Sequence, residues 1–356
     1  MVKKAKRKNN KAKKKQPSLL KKILKIFAWF AGIIILLVGI IYIAFQVSPW
    51  PSALLLRYAF GQNAEKQIKI MQKYTPSDVN AVRNVQYKQG DNDAYLDVFY
   101  PNSVKNTNKK LPTIVWVHGG GWISGNKNNV ADYLKILASK GYTTVGINYS
   151  IAPEKTYPTP VIQTNQALDY LNKNADDLHI DNNQFVLAGD SAGSQIVAQV
   201  VAMTTSPDYA KLLDISPALQ PSQVAGMLLN CGAYDIGIVS TDGNSEGAKL
   251  LKTFLWSYSG QKDFMKDNEF MEASVINYVT PAFPPSFITA GNNDPLLPQS
   301  EIMAQKLESL GVTVDPLFYP KNYSPALPHE YQFNLDTAAG QKALNEMISF
   351  LGKNTK

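Results

Sequence analysis

The stretch Leu187-Ala188-Gly189-Asp190-Ser191-Ala192-Gly193 decides the fold class of this 356-residue chain. Its last five residues match the G-x-S-x-G pattern of a nucleophile elbow, a tight turn between a strand and a helix. An apolar run at 184–188 predicts the strand, and a run at 194–203 predicts the helix. Small neighbours suit such a strained turn, so we expect Ser191 to stand clear of the strand end.

A second glycine-rich stretch lies upstream of the elbow. The β-rich run at 113–117 predicts a buried strand, and His118-Gly119-Gly120-Gly121-Trp122 follows it directly. Adjacent glycines let the backbone approach a bound substrate and present free N–H groups to it. A phosphate-binding turn is the alternative for such a loop, but the sequence contains no G-x-x-x-x-G-K-[ST] pattern.

Together the two stretches resemble the hormone-sensitive-lipase-like branch of the α/β-hydrolases, in which an HGGG motif precedes a GDSAG motif. Tyr149-Ser150-Ile151-Ala152-Pro153-Glu154 is similar to the Tyr-x-x-Ala-Pro-Glu run of that family, and the resemblance covers residues 85–350. It implies carboxylic ester hydrolysis through an acyl-enzyme, without a metal or an organic cofactor. It also implies that His118 is structural and that Gly120 and Gly121 supply oxyanion N–H groups.

A serine hydroxyl needs a general base before it can act as a nucleophile, and the chain has only three histidines. His179 precedes the strand that leads to Ser191, which predicts a position at the opposite edge of the sheet. His118 lies at the correct edge, but its backbone belongs to the oxyanion loop. His329 follows the last strand-like run, at 312–319, so chain order and elimination favour His329 as the base.

The third member of a triad is a carboxylate that orients the imidazole, and in this fold it lies between serine and histidine in the chain. Asp294 follows the strand-like run 287–290 and is the predicted residue, because Asp294-Pro295-Leu296 fits the family's Asp-x-Leu segment. Asp235 is the second candidate. Asp190 is a poor one, because a residue beside Ser191 in the elbow points elsewhere.

The geometry of the elbow predicts a further oxyanion donor, the N–H group of Ala192, which follows the nucleophile. Other residues of the two motifs are expected to support the turn and the loop: His118, Gly119, Gly189, Asp190 and Gly193.

The N-terminal region predicts a membrane anchor. Residues 1–25 contain twelve Lys or Arg and no acidic residue, and residues 26–47 contain no charge. A helix of that length is about 33 Å long, enough to cross the hydrocarbon core of a bilayer. Because the cations precede the span, we expect a cytoplasmic tail and a catalytic domain outside the cell membrane.

The net charge of +8 belongs to this tail, whose twelve cations leave −4 for the rest of the chain. We therefore expect contact with the membrane and no nucleic-acid partner. One cysteine, Cys231, excludes an intramolecular disulfide. Its apolar neighbours predict a buried thiol, and a role as a second nucleophile is not expected because no free histidine is left to serve it.

Strand-like and helix-like runs alternate after residue 113, which predicts an α/β fold: an α/β-hydrolase with a mostly parallel sheet and helices on both faces. Two strand-like runs at 83–88 and 95–100 predict an initial antiparallel pair. The predicted organisation begins with a basic cytoplasmic tail (1–25) and a transmembrane signal-anchor helix (26–47). A stalk or cap segment (48–80) follows, and then a hydrolase domain (81–356) that carries a possible helical lid (236–280).

The sequence thus predicts a single-pass, membrane-anchored serine esterase. Its substrate would be a small-molecule, lipid or polysaccharide acyl ester, and neither a metal nor another cofactor is expected. A serine peptidase or amidase, and a non-catalytic ligand-binding homologue on the same fold, are the alternatives. The sequence leaves acyl length, alcohol part and oligomeric state open.

Overall fold

An eight-stranded sheet forms the centre of the protein in a computed structural model that describes residues 18–238 and 246–355. Most of the predicted basic tail (1–17) and part of the predicted lid (239–245) lie outside these residues. The chain divides into two compact units, Met1–Pro51 and Ser52–Lys356.

The sheet has the order β1-β2-β4-β3-β5-β6-β7-β8. The strands pair in parallel from β4 onwards through β3 to β8, whereas β2 is antiparallel to both of its neighbours. The predicted antiparallel pair and parallel sheet are confirmed, although β1 begins four residues earlier than predicted. The strands are β1 Val79–Gln86, β2 Tyr95–Pro101, β3 Leu111–Val117, β4 Thr143–Ile147, β5 Ile180–Asp190, β6 Val224–Asn230, β7 Ser286–Thr289 and β8 Val314–Leu317.

Alternation along the central strands explains why both faces of the sheet are covered, because successive strand residues point to opposite faces. Val115 and Leu187 belong to one buried apolar cluster, whereas Trp116 and Val186 belong to the other. Helices complete both clusters. The helices of the described residues are α1 Leu19–Val47, α2 Trp50–Gln72, α3 Ala131–Ala138, α4 Thr159–Lys173, α5 Ala192–Thr205, α6 Pro207–Leu212, α7 Glu246–Ser259, α8 Asn268–Met271, α9 Leu297–Ser309 and α10 Ala338–Asn354, and no residue of α1 belongs to either cluster.

The first compact unit contains α1, a helix of 29 residues. Among the described residues it is the one helix long and apolar enough to cross a membrane, and none of its residues is buried in the protein. It begins seven residues before the predicted span of 26–47, because the leucines and lysines of that segment are good helix formers.

Candidate active site

The G-x-S-x-G turn joins β5 to α5 at the carboxyl edge of the sheet. Ser191 has φ 51° and ψ −118°, a backbone conformation that costs a residue with a side chain about 1–3 kcal/mol. Its side chain makes no cap hydrogen bond to the helix. Gly193 is required because a Cβ there would overlap the Val117 carbonyl of β3. The turn therefore holds the Ser191 hydroxyl at the carboxyl edge of the sheet, where it does not cap the helix.

His329 and Asp294 meet at the same edge. The ring Nδ1 lies 2.8 Å from Asp294 Oδ2, and Asp294 is 5% exposed. The other carboxylate oxygen, Oδ1, accepts a hydrogen bond from the Leu296 N–H at 2.7 Å. Both oxygens are thus fixed, and the imidazole is held by the carboxylate that chain order predicted.

The charge state of His329 depends on burial and on Asp294. Burial by itself lowers the pKa of the imidazole, but the hydrogen bond to Asp294 and the charge of that carboxylate raise this pKa above its ordinary value. Burial raises the pKa of the Cys231 thiol to about 11, so the sulfur is a neutral thiol at pH 7. The arrangement favours a proton on the imidazole.

The predicted oxyanion loop follows β3. Gly120 has φ 113°, and a Cβ on it would overlap the Ser124 carbonyl, so only glycine fits here. Within the described part of the chain, the N–H groups of Gly120, Gly121 and Ala192 donate no hydrogen bond. Free N–H groups on one loop and at the start of α5 are what an oxyanion hole requires.

The two other histidines have structural partners. His118 is fully buried, its Nδ1 lies 2.8 Å from the Gly119 carbonyl, and its ring stacks on Tyr149. Burial lowers its pKa to about 4, so it is neutral at pH 7. His179 lies before β5, where its Nδ1 is 3.0 Å from the Lys109 carbonyl. Each of these rings thus has one nitrogen at hydrogen-bonding distance from a backbone carbonyl, and neither contacts Asp294.

Asp190 points away from His329 and toward the start of the oxyanion loop. Its Oδ1 accepts a hydrogen bond from Trp116 Nε1 at 2.6 Å, and its Oδ2 accepts one from the Gly119 N–H at 2.8 Å. Burial, followed by the nearby Glu330 carboxylate, raises the pKa of Asp190 well above its ordinary value. The residue thus supports the loop, as the motif predicts. Asp235, the second candidate for the triad acid, accepts a hydrogen bond from the Gly237 N–H instead.

Aromatic side chains of the predicted lid pack on the oxyanion loop. The Phe254 ring of α7 lies 2.9 Å from the position that a Cβ of Gly121 would occupy. Trp122 stacks on Tyr258 with the ring centroids 4.7 Å apart. Phe60 of α2 contacts Phe254 with a centroid separation of 5.7 Å.

Helix α2 is fastened beside the same loop. Arg57 donates hydrogen bonds to the carbonyls of Ile123 at 2.7 Å and Ala152 at 2.9 Å, and it pairs with Glu154 at 2.7 Å. These contacts fix the helix to the segment that follows the three glycines.

One group of side chains in the described residues has the donor atoms and spacing of a metal site. Ligand atoms of Cys231, Asp294 and His329 all lie within 4.8 Å of one another. The short Asp294–His329 hydrogen bond already occupies two of these atoms with each other. We therefore interpret the group as a hydrogen-bonded acid–base pair with an adjacent thiol.

The sequence model of the BD-FAE family matches residues 96–307, which is more than half of the chain. The chain belongs to the BD-FAE family. Esterase LipQ of Mycobacterium tuberculosis is 25% identical over 276 residues, which cover 76% of this chain and 61% of LipQ. Carboxylesterase NlhH of the same organism is 26% identical over 294 residues, which cover 80% of this chain and 86% of NlhH.

Solved esterase structures have the same fold. A crystal structure of esterase B from Lactobacillus rhamnosis, inhibited by a C4-C4 tributyrin phosphonate, superposes with a TM-score of 0.71 at 22% identity. The superposition covers 85% of this chain and 95% of that one. The α/β-hydrolase fold is thereby confirmed, and the esterase relatives of this BD-FAE family member support ester hydrolysis as its reaction class.

Sequence reasoning missed two neighbours of His329. Cys231 follows the end of β6, so the rule that placed Ser191 and Asp294 at strand ends could have placed its sulfur at the same edge. The predicted burial of the thiol is confirmed, but its closeness to His329, which reaches that edge from a later loop of the chain, was not foreseen. No sequence pattern indicated a role for Glu330 apart from its position next to His329.

Proposed function

We propose that this protein is a serine carboxylesterase that acts through an acyl-enzyme. The observation that carries the proposal is the 2.8 Å contact between His329 Nδ1 and Asp294 Oδ2 at the edge of the sheet where the elbow holds Ser191. The nucleophile Ser191, the orienting acid Asp294 and the base His329 then follow one another in the chain order of an α/β-hydrolase.

In the proposed reaction the Ser191 hydroxyl attacks the ester carbonyl while His329 takes its proton. The carbonyl oxygen becomes an oxyanion, which the N–H groups of Gly120, Gly121 and Ala192 stabilise. The tetrahedral intermediate collapses, His329 protonates the departing alcohol, and the acyl group remains on Ser191. Water activated by the same imidazole then releases the acid and restores the enzyme.

The aromatic contacts support a cap over the acyl site. We propose that α2 and the described part of 236–280 form this cap, because Phe60, Phe254 and Tyr258 pack on or beside the oxyanion loop. The three Arg57 contacts favour a cap over a free stalk for α2.

Active-site labelling with a fluorophosphonate probe, followed by peptide mass spectrometry, tests the nucleophile. The probe is expected to modify Ser191 in the full chain and to leave Ser191→Ala unmodified. A panel of p-nitrophenyl acyl esters beside peptide p-nitroanilides tests the reaction class. Turnover of the anilides at rates equal to those of the esters would instead favour the peptidase or amidase alternative.

We propose that α1 anchors the protein in the cell membrane with residues 1–17 inside and the second compact unit outside. The apolar composition of α1, in which no residue is buried, supports a membrane span, and the preceding cations support its orientation. Protease added to intact cells should digest epitopes beyond residue 60 and spare a tag at Met1. Protection of the C-terminal unit would contradict the orientation, whereas cleavage behind residue 47 with release of the domain would indicate a signal sequence.

A further inference from the structure

Glu330 occupies an unusual position next to His329. Its backbone is in the left-handed region, with φ 58°, which few residues with a side chain adopt. Its Oε1 lies 3.9 Å from Nε2 of His329, the ring atom that faces away from Asp294. Its Oε2 accepts a hydrogen bond from Gln67 of α2 at 3.4 Å. A second carboxylate thus lies beside the imidazole, on the side opposite Asp294.

Glu330 also lies close to Asp190, the residue that precedes Ser191. Gly119 lies against both side chains: a Cβ on it would overlap Asp190 Oδ2 and lie 2.9 Å from Glu330 Oε1. Asp190 is buried, and burial together with the nearby Glu330 carboxylate raises its pKa well above its ordinary value.

We propose that Glu330 is a positioning residue that places a second negative charge beside His329 and joins the His329 loop to the oxyanion loop through its contact with Asp190. This inference rests on the proposed function. A carboxylate near Nε2 stabilises the imidazolium that forms when His329 accepts the Ser191 proton. Asp190 also accepts a hydrogen bond from the Gly119 N–H, so the contact between Glu330 and Asp190 fixes the position of the His329 loop relative to the oxyanion loop.

Two of the other groups that face Glu330 are uncharged at neutral pH. Among the described residues, its charge acts on the Tyr149 hydroxyl, the Cys231 thiol and Asp190. Burial raises the pKa of both Tyr149 and Cys231, so neither is ionised at pH 7. His329 is therefore the cation that the Glu330 charge can stabilise.

The test uses the full chain in detergent and compares Glu330→Gln with Asp336→Asn. Glutamine keeps a hydrogen-bonding group for Asp190 but removes the charge, whereas Asp336 pairs with Lys73 and Tyr74, which follow α2. In the pH profile of kcat/KM for p-nitrophenyl acetate, Glu330→Gln should lower the acidic midpoint by about 0.5–1 pH unit. KM should change less than about twofold, and Asp336→Asn should leave the midpoint unchanged.

A direct titration of the imidazole separates charge from folding. With only three histidines in the chain, ¹³C-labelled histidine in the Ser191→Ala background reports the pKa of His329 by NMR. Glu330→Gln should lower this pKa by the same amount as the kinetic midpoint, and Glu330→Asp, which keeps the charge, should restore most of it. This readout does not depend on turnover.

A His329 titration that is the same in the wild type, Glu330→Gln and Glu330→Asp would overturn the inference, as would an equal shift in Asp336→Asn. If Glu330→Gln does not fold, wild-type behaviour in Glu330→Asp and a lowered pKa in Glu330→Ala would still support it, and an unshifted pKa in Glu330→Ala would overturn it. Ester hydrolysis that persists in Ser191→Ala would refute the proposed function instead, and the NMR titration would still decide the role of Glu330.

Discussion

Asp190 and Asp294 are buried carboxylates at the same edge of one sheet, and each accepts two hydrogen bonds of similar length. Asp294 binds a backbone N–H and an imidazole, at 2.7 and 2.8 Å. Asp190 binds a backbone N–H and the Trp116 indole, at 2.8 and 2.6 Å. The difference lies in the donors. An imidazole can exchange its tautomer and its charge, whereas an indole and a peptide N–H can do neither. The two regions thus differ in chemistry while sharing their geometry.

The largest expected effect concerns the proposed triad to which Asp294 belongs. Ser191→Ala and His329→Ala should each lower kcat for p-nitrophenyl esters by on the order of 10⁴–10⁶, because triad members act as a unit. Asp294→Asn should lower kcat by about 10⁴ through loss of tautomer control. His179→Ala is the matched control and should keep a near-normal rate. Loss of turnover in a folded His179→Ala protein, with His329→Ala still active, would show that the base assignment is wrong.

The next effect concerns the oxyanion loop that Asp190 supports. Gly120→Ala should lower kcat by on the order of 10²–10³, as the loss of one oxyanion donor does. The added methyl group would meet the Ser124 carbonyl, and φ 113° does not suit alanine. Steady-state kinetics beside the binding of a non-reacting substrate analogue measures the effect. Equal losses in catalysis and binding would indicate a folding defect in place of a lost donor.

The same substitution at both aspartates should separate their roles. Asp190→Asn leaves one of its two donors without an acceptor, which should lower the free energy of unfolding by about 1–3 kcal/mol. Asp294→Asn should change it by less than about 1 kcal/mol, because the imidazole can switch tautomer and accept from the amide. Thermal and urea unfolding, measured beside kcat, tests the contrast. An unfolding free energy that falls equally in both variants would remove the distinction drawn between the two sites.

The smallest expected effect is in the pH dependence. Catalysis needs a neutral imidazole, and the pKa of His329 is raised well above 6.5. Activity should therefore be low at acidic pH and should rise through a midpoint above 6.5 in kcat/KM. The same interactions stabilise the folded protein below pH 6.5, and that stabilisation is lost as the pH rises through the folded pKa. An acidic midpoint at or below 6.5 would show that Asp294 does not outweigh burial.

Much of the fold and the central site could be predicted from local patterns. Alternation of apolar runs identified the parallel sheet, since each strand and helix carries its own periodicity. The two glycine motifs identified Ser191 and the oxyanion loop, because the backbone conformations they need are confined to neighbouring residues. Asp294 and His329 followed from a rule of order along the chain. Their hydrogen bond agrees with that rule, and their catalytic roles remain a prediction.

The sequence by itself determined what neighbouring residues encode: the strands and helices, the strained turn at Ser191, the apolar helix α1 and the charge of the tail. Only the tertiary structure decided which distant side chains meet. It brought Cys231 and Glu330 to His329, fastened Arg57 of α2 beside the oxyanion loop, and gave two similar aspartates different donors. Such contacts depend on the strand order and on loop paths, which no local pattern specifies. The protonation state of a buried group depends on the side chains that the fold brings next to it, so the chemistry of the site is decided by the tertiary structure.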